Sequence, residues 1–146
     1  MSPVDFAIVR RKLESIALKL RQLEPIAKLD EQAYQREDIW HRKGTERLLH
    51  EVIEAAVDIN THLLVQSGRP TPDSMFESFI ELGKAGILTG TLANTLAPSA
   101  GLRNRLVHEY ETINEAWVHR AVRDALRDYP LYMAAVEDFL NAAQNR

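Results

Sequence analysis

Cysteine is absent from this 146-residue chain. Disulfides, thiolate metal sites and a cysteine nucleophile are therefore excluded. A chain without cysteine suits a reducing cytoplasm, the compartment expected for it. No run of about 18 uncharged apolar residues occurs, which leaves no membrane-spanning helix. Met1 to Leu13 carries Asp5, Arg10, Arg11 and Lys12 where a signal peptide needs an apolar stretch. Glycine and proline number six each, and neither clusters into a linker. Positive charge is not in excess: 18 Lys and Arg stand against 21 Asp and Glu, a net charge of −3. That balance disfavours a protein that clamps long nucleic acid over its whole surface, while leaving room for a local cationic pocket. The remainder is ordinary, 45% hydrophobic and 27% charged, as expected of one globular domain spanning residues 1–146.

Apolar residues recur at helical spacing along most of the chain. From Pro3 to Glu24, Phe6, Val9, Leu13, Ile16, Leu20 and Leu23 step by three and four, with Arg10, Arg11, Glu14, Lys19 and Arg21 on the other face. Pro25 interrupts or kinks this helix. A polar stretch from Asp30 to Lys43 adds little. A second stripe then runs from Thr45 through Leu48, Leu49, Val52, Ile53, Ala56, Ile59, Leu63 and Leu64. Gly68-Arg69-Pro70-Thr71-Pro72 ends it, and Asp73 or Ser74 caps a third helix. A fourth segment, marked by Leu92, Leu96, Leu102 and Leu106, meets Pro98 on its way. Thr112 with Glu115 forms a capping box for the last helix, with Asn114 the competing cap, and Pro130 breaks or bends that helix before it continues to Leu140. No strand alternation is seen. The class is all-α, an antiparallel bundle of four to five helices.

Histidines are the natural candidates for proton transfer, because imidazole titrates near neutrality. His41 sits among charges and reads as solvated. On the second helix, Glu46 with His50 and Asp58 with His62 are spaced to pair along the surface. His119, early in the last helix, reads as exposed. His108 differs in its company: Gly101-Leu102-Arg103-Asn104-Arg105-Leu106-Val107-His108-Glu109-Tyr110 gathers two arginines, an amide, an imidazole and a phenol. Guanidinium binds phosphate oxygens in a fork and imidazole moves protons, a combination suited to a phosphodiester. The Arg–His spacing alone is weak, since Arg36 and His41 repeat it among thirteen arginines and five histidines. Asn104 and Tyr110 single out the second occurrence.

At these residues the sequence resembles the HepT-like branch of the HEPN superfamily, whose signature commonly reads Arg-Asn-x-Leu-Val-His-x-Tyr. Arg103-Asn104-Arg105-Leu106-Val107-His108-Glu109-Tyr110 agrees at every fixed position. The likeness extends over the first amphipathic helix, the Glu46 to Leu64 helix, the Pro72 to Leu88 segment and the capped last helix. It implies the toxin of a toxin–antitoxin pair of type II or VII kind, a metal-independent endoribonuclease with no cofactor, cutting tRNA or another structured RNA. His108 would act as general base or acid in attack of a ribose 2′-OH on the adjacent phosphate, leaving a 2′,3′-cyclic phosphate. Arg103 would stabilise the charge on the non-bridging oxygens. Asn104 would orient a partner or touch phosphate, and Arg105 would add to a cationic cleft between the two protomers of a homodimer. Tyr110 has two readings: it packs or hydrogen-bonds at the site, or, as the resemblance implies, it is the tyrosine that a minimal nucleotidyltransferase antitoxin AMPylates, placing bulk and negative charge beside the phosphate pocket.

One geometric condition accompanies that reading. In an unbroken helix Arg103 and Tyr110 share a face, whereas His108 lies about 140° round from Arg103. The alternative to an enzyme is an inactive HEPN bundle that dimerises and holds a nucleotidyltransferase. A DNA-binding regulator lacks a basic recognition helix, and a di-metal bundle lacks any Glu-x-x-His.

Overall fold

A computed structural model describes residues 5–108 and 114–145. Their helices are α1 (Phe6–Lys28), α2 (Glu31–Gln35), α3 (Ile39–Gln66), α4 (Met75–Lys84), α5 (Gly90–Leu96), α6 (Ser99–His108) and α7 (Glu115–Gln144). The class is all-α, with no strand among the described residues.

The first stripe behaves as its period dictates. Val9, Leu13, Ile16, Leu20 and Leu23 are the buried residues of α1. Ion pairs along its flank fix its direction against α3: Lys12 meets Asp58 at 3.3 Å and Lys19 meets Glu51 at 3.4 Å. A step of seven forward on α1 is a step of seven back on α3, so the two run antiparallel. Arg10 bonds Glu137 of α7 at 2.6 Å while Arg123 Nε reaches the Ala27 carbonyl at 3.4 Å, so α7 also runs against α1.

Several boundaries differ from the periodicity. Pro25 lies inside α1, which continues to Lys28. Only three residues follow the proline, so little of the hydrogen-bond ladder depends on it. α7 likewise continues through Pro130, held by buried Tyr129 and Tyr132 on either side. Here tertiary burial outweighs the local preference. α3 begins at Ile39 rather than near Thr45, because Asp38 accepts from the His41 N–H at 2.9 Å and caps it. The polar stretch ahead of it holds α2, whose Tyr34 is fully buried.

That short helix explains His119, which is buried and not exposed. Its ring stacks on Tyr34 at 5.7 Å, and its Nε2 lies 2.6 Å from the Leu29 carbonyl oxygen. Gly68 stops α3 in a left-handed turn (φ 81°), closed by Arg69 N–H to Leu64 O at 2.9 Å. Ser74 is the cap of α4. Asn114, the competing cap, is the one that caps α7, its Oδ1 accepting from Ala116 and Trp117 N–H; Thr112 of the expected capping box lies outside the described residues.

The fourth segment is two helices. α5 ends at Leu96 and α6 starts at Ser99, with Pro98 at the elbow. Ser99 ties that elbow down: its hydroxyl donates to the Leu96 carbonyl at 2.6 Å and lies 2.9 Å from the Tyr129 hydroxyl of α7. The elbow sets where α6 lies against α3, and so where Arg103 falls.

Candidate functional site

α6 runs without interruption from Ser99 to His108. Arg103 is therefore on one side and Arg105, two residues on, about 200° away. The side chains part accordingly. Arg103 turns to α3, where its Nε donates to Glu54 Oε2 at 2.9 Å, with 16% of the arginine side chain exposed. Arg105 turns to α7, its guanidinium carbon 3.8 Å from the centre of the Trp117 ring. A cation over an indole face is held by the ring quadrupole, so Arg105 has a partner of its own. Within one chain the two arginines do not form a shared cationic surface. Asn104, between them, is exposed. His108 closes α6; its imidazole and the whole of Tyr110 lie outside the described residues.

Glu54 and His50 join Arg103 from α3. One turn apart on that helix, they place His50 Nε2 3.8 Å from Glu54 Oε2, the oxygen that holds Arg103. Burial, and then the Arg103 guanidinium, hold the His50 imidazole below its ordinary value, with Glu54 opposing. His50 and Glu54 also line a groove of about 630 Å³ between α1 and α3, with Arg11, Lys12, Lys19 and Arg47 along it. The two pairs expected from spacing, Glu46 with His50 and Asp58 with His62, are not formed among the described residues. Glu46 pairs with Lys43 and Asp58 with Lys12, while His62 Nε2 accepts from the Asp5 N–H. His41 keeps its exposed place, paired with Asp38 and Glu37.

This arrangement suits an anionic ligand. A carboxylate on Nε fixes the guanidinium plane, and a phosphate is gripped through the fork of the Nη groups. Glu54 and His50 carry no local signal of this role, because Glu54 reaches Arg103 across 49 residues of sequence. Among the described residues no three His, Asp or Glu side chains are grouped to hold a metal ion, and no helix is long and apolar enough to cross a membrane.

The described residues form an all-α helical bundle with an arginine set in its flank. A solved structure of the tri-AMPylated Shewanella oneidensis HEPN toxin in complex with MNT antitoxin shares that fold, with TM-score 0.80, 24% identity, and 90% of this chain and 97% of that one covered. A model of the ribonuclease HepT-like family matches residues 16–136. The tRNA nuclease HepT of Aphanizomenon flos-aquae (strain 2012/KM1/D3) is 40% identical over 140 residues, 96% of this chain and 95% of that protein. The mRNA nuclease HepT of Shewanella oneidensis is 30% identical over 89 residues, 61% of this chain and 67% of that protein. The chain belongs to the ribonuclease HepT-like family.

Proposed function

We propose that this chain is the toxin of a toxin–antitoxin pair, an endoribonuclease that cuts tRNA without a metal ion. The observation that carries the reading is Arg103, fixed by Glu54, a carboxylate that itself lines an open groove, in a chain 40% identical over nearly its whole length to a tRNA nuclease. RNA carries its own nucleophile, the 2′-OH, so the enzyme needs to place the phosphate, neutralise charge and move two protons. Arg103 takes the first two tasks through its fork of donors. His108 serves proton transfer, and the products are a 2′,3′-cyclic phosphate and a 5′-hydroxyl. Asn104, exposed next to Arg103, contacts RNA or a second protomer. Arg105, stacked on Trp117, shapes the adjoining surface. The working form is a homodimer or higher homo-oligomer in which a second copy of α6 completes the cleft. The protein acts in the cytoplasm, where its substrate is found.

Tyr110, two residues beyond His108, is the control point: a minimal nucleotidyltransferase antitoxin adenylates it. The Shewanella HEPN toxin, which is AMPylated and bound by its MNT antitoxin, supports that assignment. An adenylate there adds bulk and charge that exclude an RNA phosphate.

The test is cleavage of bulk bacterial tRNA by the purified protein in the presence of EDTA. Cyclic-phosphate ends are expected, with loss of cutting in Arg103→Ala and His108→Ala at unchanged helical content. Cutting that EDTA abolishes would sink the metal-free mechanism. Full activity in both variants would sink the site, and harmless expression with no cleavage would favour the non-enzymatic bundle.

A further inference from the structure

The motif supplies one imidazole, His108, and α6 is unbroken from Arg103 to His108. The His108 Cα therefore stands about 140° round the helix from Arg103. The imidazole that the described structure brings to Arg103 comes from a different helix. His50 of α3 shares Glu54 Oε2 with it, at 3.8 Å against 2.9 Å for Arg103 Nε. Its side chain is 16% exposed, enough to be reached from the α1/α3 groove that it lines. Resting on the ribonuclease reading above, we propose that His50 is a second catalytic imidazole, the base that takes the 2′-OH proton of an RNA whose scissile phosphate is bound by Arg103.

The charges around His50 favour a base over an ornament. From its own helix Arg47, Glu51 and Glu54 face it, from α6 Arg103, and across the groove stand Lys12 and Lys19 of α1. Glu54 and Glu51 favour the imidazolium; burial, Arg103 and Arg47 oppose it, and the opposition wins. An imidazole kept only as the ion partner of Glu54 would be pushed the other way. At 3.8 Å the pair is also beyond hydrogen-bond range. The result is a neutral, proton-accepting ring beside a fixed guanidinium.

The step balances within the protein and the RNA. The 2′-OH proton passes to His50 as the O2′–P bond forms. The P–O5′ bond breaks, and O5′ takes a proton from the His108 imidazolium. The cyclic phosphate and a 5′-hydroxyl leave, and the two rings exchange protons with water to start again. His50 and His108 thus divide the two proton transfers between them.

The experiment measures kcat, KM and the pH profile on bulk tRNA for the wild type, His50→Gln, His50→Ala and His108→Ala, with thermal melts of each. His50→Gln is expected to lower kcat about 100-fold or more while KM stays within about threefold. The acidic limb of kcat/KM should flatten in that variant, and added imidazole should restore part of the rate to His50→Ala. A purely structural histidine would give neither the lost limb nor the rescue. Activity of His50→Gln within about threefold of wild type, with its acidic limb in place, overturns the assignment. So does a rate loss in both His50 variants that imidazole leaves untouched while the limb persists. Loss of cutting in His108→Ala with full cutting in His50→Gln removes this inference alone. A wild type that cuts no RNA removes the ribonuclease reading with it.

Discussion

Asn60 and Glu54 lie on the same helix, α3, and hold polar neighbours in opposite ways. Asn60 faces inward. Its Nδ2 donates to Ser78 Oγ at 3.1 Å, Tyr132 OH donates to its Oδ1 at 2.6 Å, and the Ser78 hydroxyl donates to the Met75 carbonyl at 2.7 Å. All three side chains are fully buried and every partner belongs to the chain. Burial drives the Tyr132 phenol well above its ordinary range, so the network holds no charge at any physiological pH. Glu54 faces the groove. It ties Arg103 and approaches His50, its own side chain 40% exposed. A closed, neutral, dry network fixes how α3, α4 and α7 pack. An open, charged one keeps bonding capacity for a ligand. The two polar clusters separate holding the fold from doing chemistry.

Four substitutions bear on that contrast, from the largest effect to the smallest. Arg103→Ala should lower RNA cleavage about 100- to 1000-fold, the usual cost of one donor to a developing anion, and leave the melting temperature within about 2 °C. A comparable loss of stability would place Arg103 with the structural cluster instead. Asn60→Ala should do the reverse. It removes two buried hydrogen bonds, to Ser78 and from Tyr132, whose hydroxyls keep the Met75 and Ala56 carbonyls; it costs about 2 kcal/mol and lowers the melting temperature by roughly 6 °C, with activity per folded molecule unchanged. Glu54→Gln keeps the shape and removes the charge that holds Arg103. A loss of about tenfold, mainly in kcat, is expected of a positioning residue, with partial recovery in Glu54→Asp. Equal activity in Glu54→Gln would show that Arg103 needs no anchor.

The smallest effect concerns Glu46, buried on α3. Burial raises its carboxyl above the ordinary value; Lys43 opposes this and Glu115 adds to it. A raised folded value means that the folded state favours the proton. The associated stability is full below the unfolded value of 4.5 and is lost as pH rises through the folded one. Glu46→Gln should therefore raise the melting temperature by about 2 °C at pH 7 and give no gain below about pH 4. A loss at pH 7 would mean that the Lys43 pair outweighs the burial.

The residues that were legible in sequence are those whose signal is local. The α1 stripe and most of the α3 stripe follow from three- and four-residue spacing, and Gly68 and Ser74 act where their types say. α2 and the first turns of α3 escaped because Asp30 to Lys43 is polar and their order depends on caps and on Tyr34 reaching α7. His119 escaped for the same reason. In the site, Arg103 was visible through its own neighbours, but Glu54 and His50 were not. Nothing near them in sequence distinguishes them from the ordinary charged face of a helix.

By itself, the sequence determined the helical class, the apolar face of each long helix, and an arginine, amide, imidazole and phenol close enough along the chain to suggest work on a phosphodiester. Only the tertiary structure decided which side of α6 meets α3. That choice sends Arg103 to Glu54 and His50, and Arg105 to Trp117. The physical reason is that periodicity settles which residues share a face of one helix. Core packing, the Pro98 elbow and the Ser99–Tyr129 tie settle which faces of different helices come together.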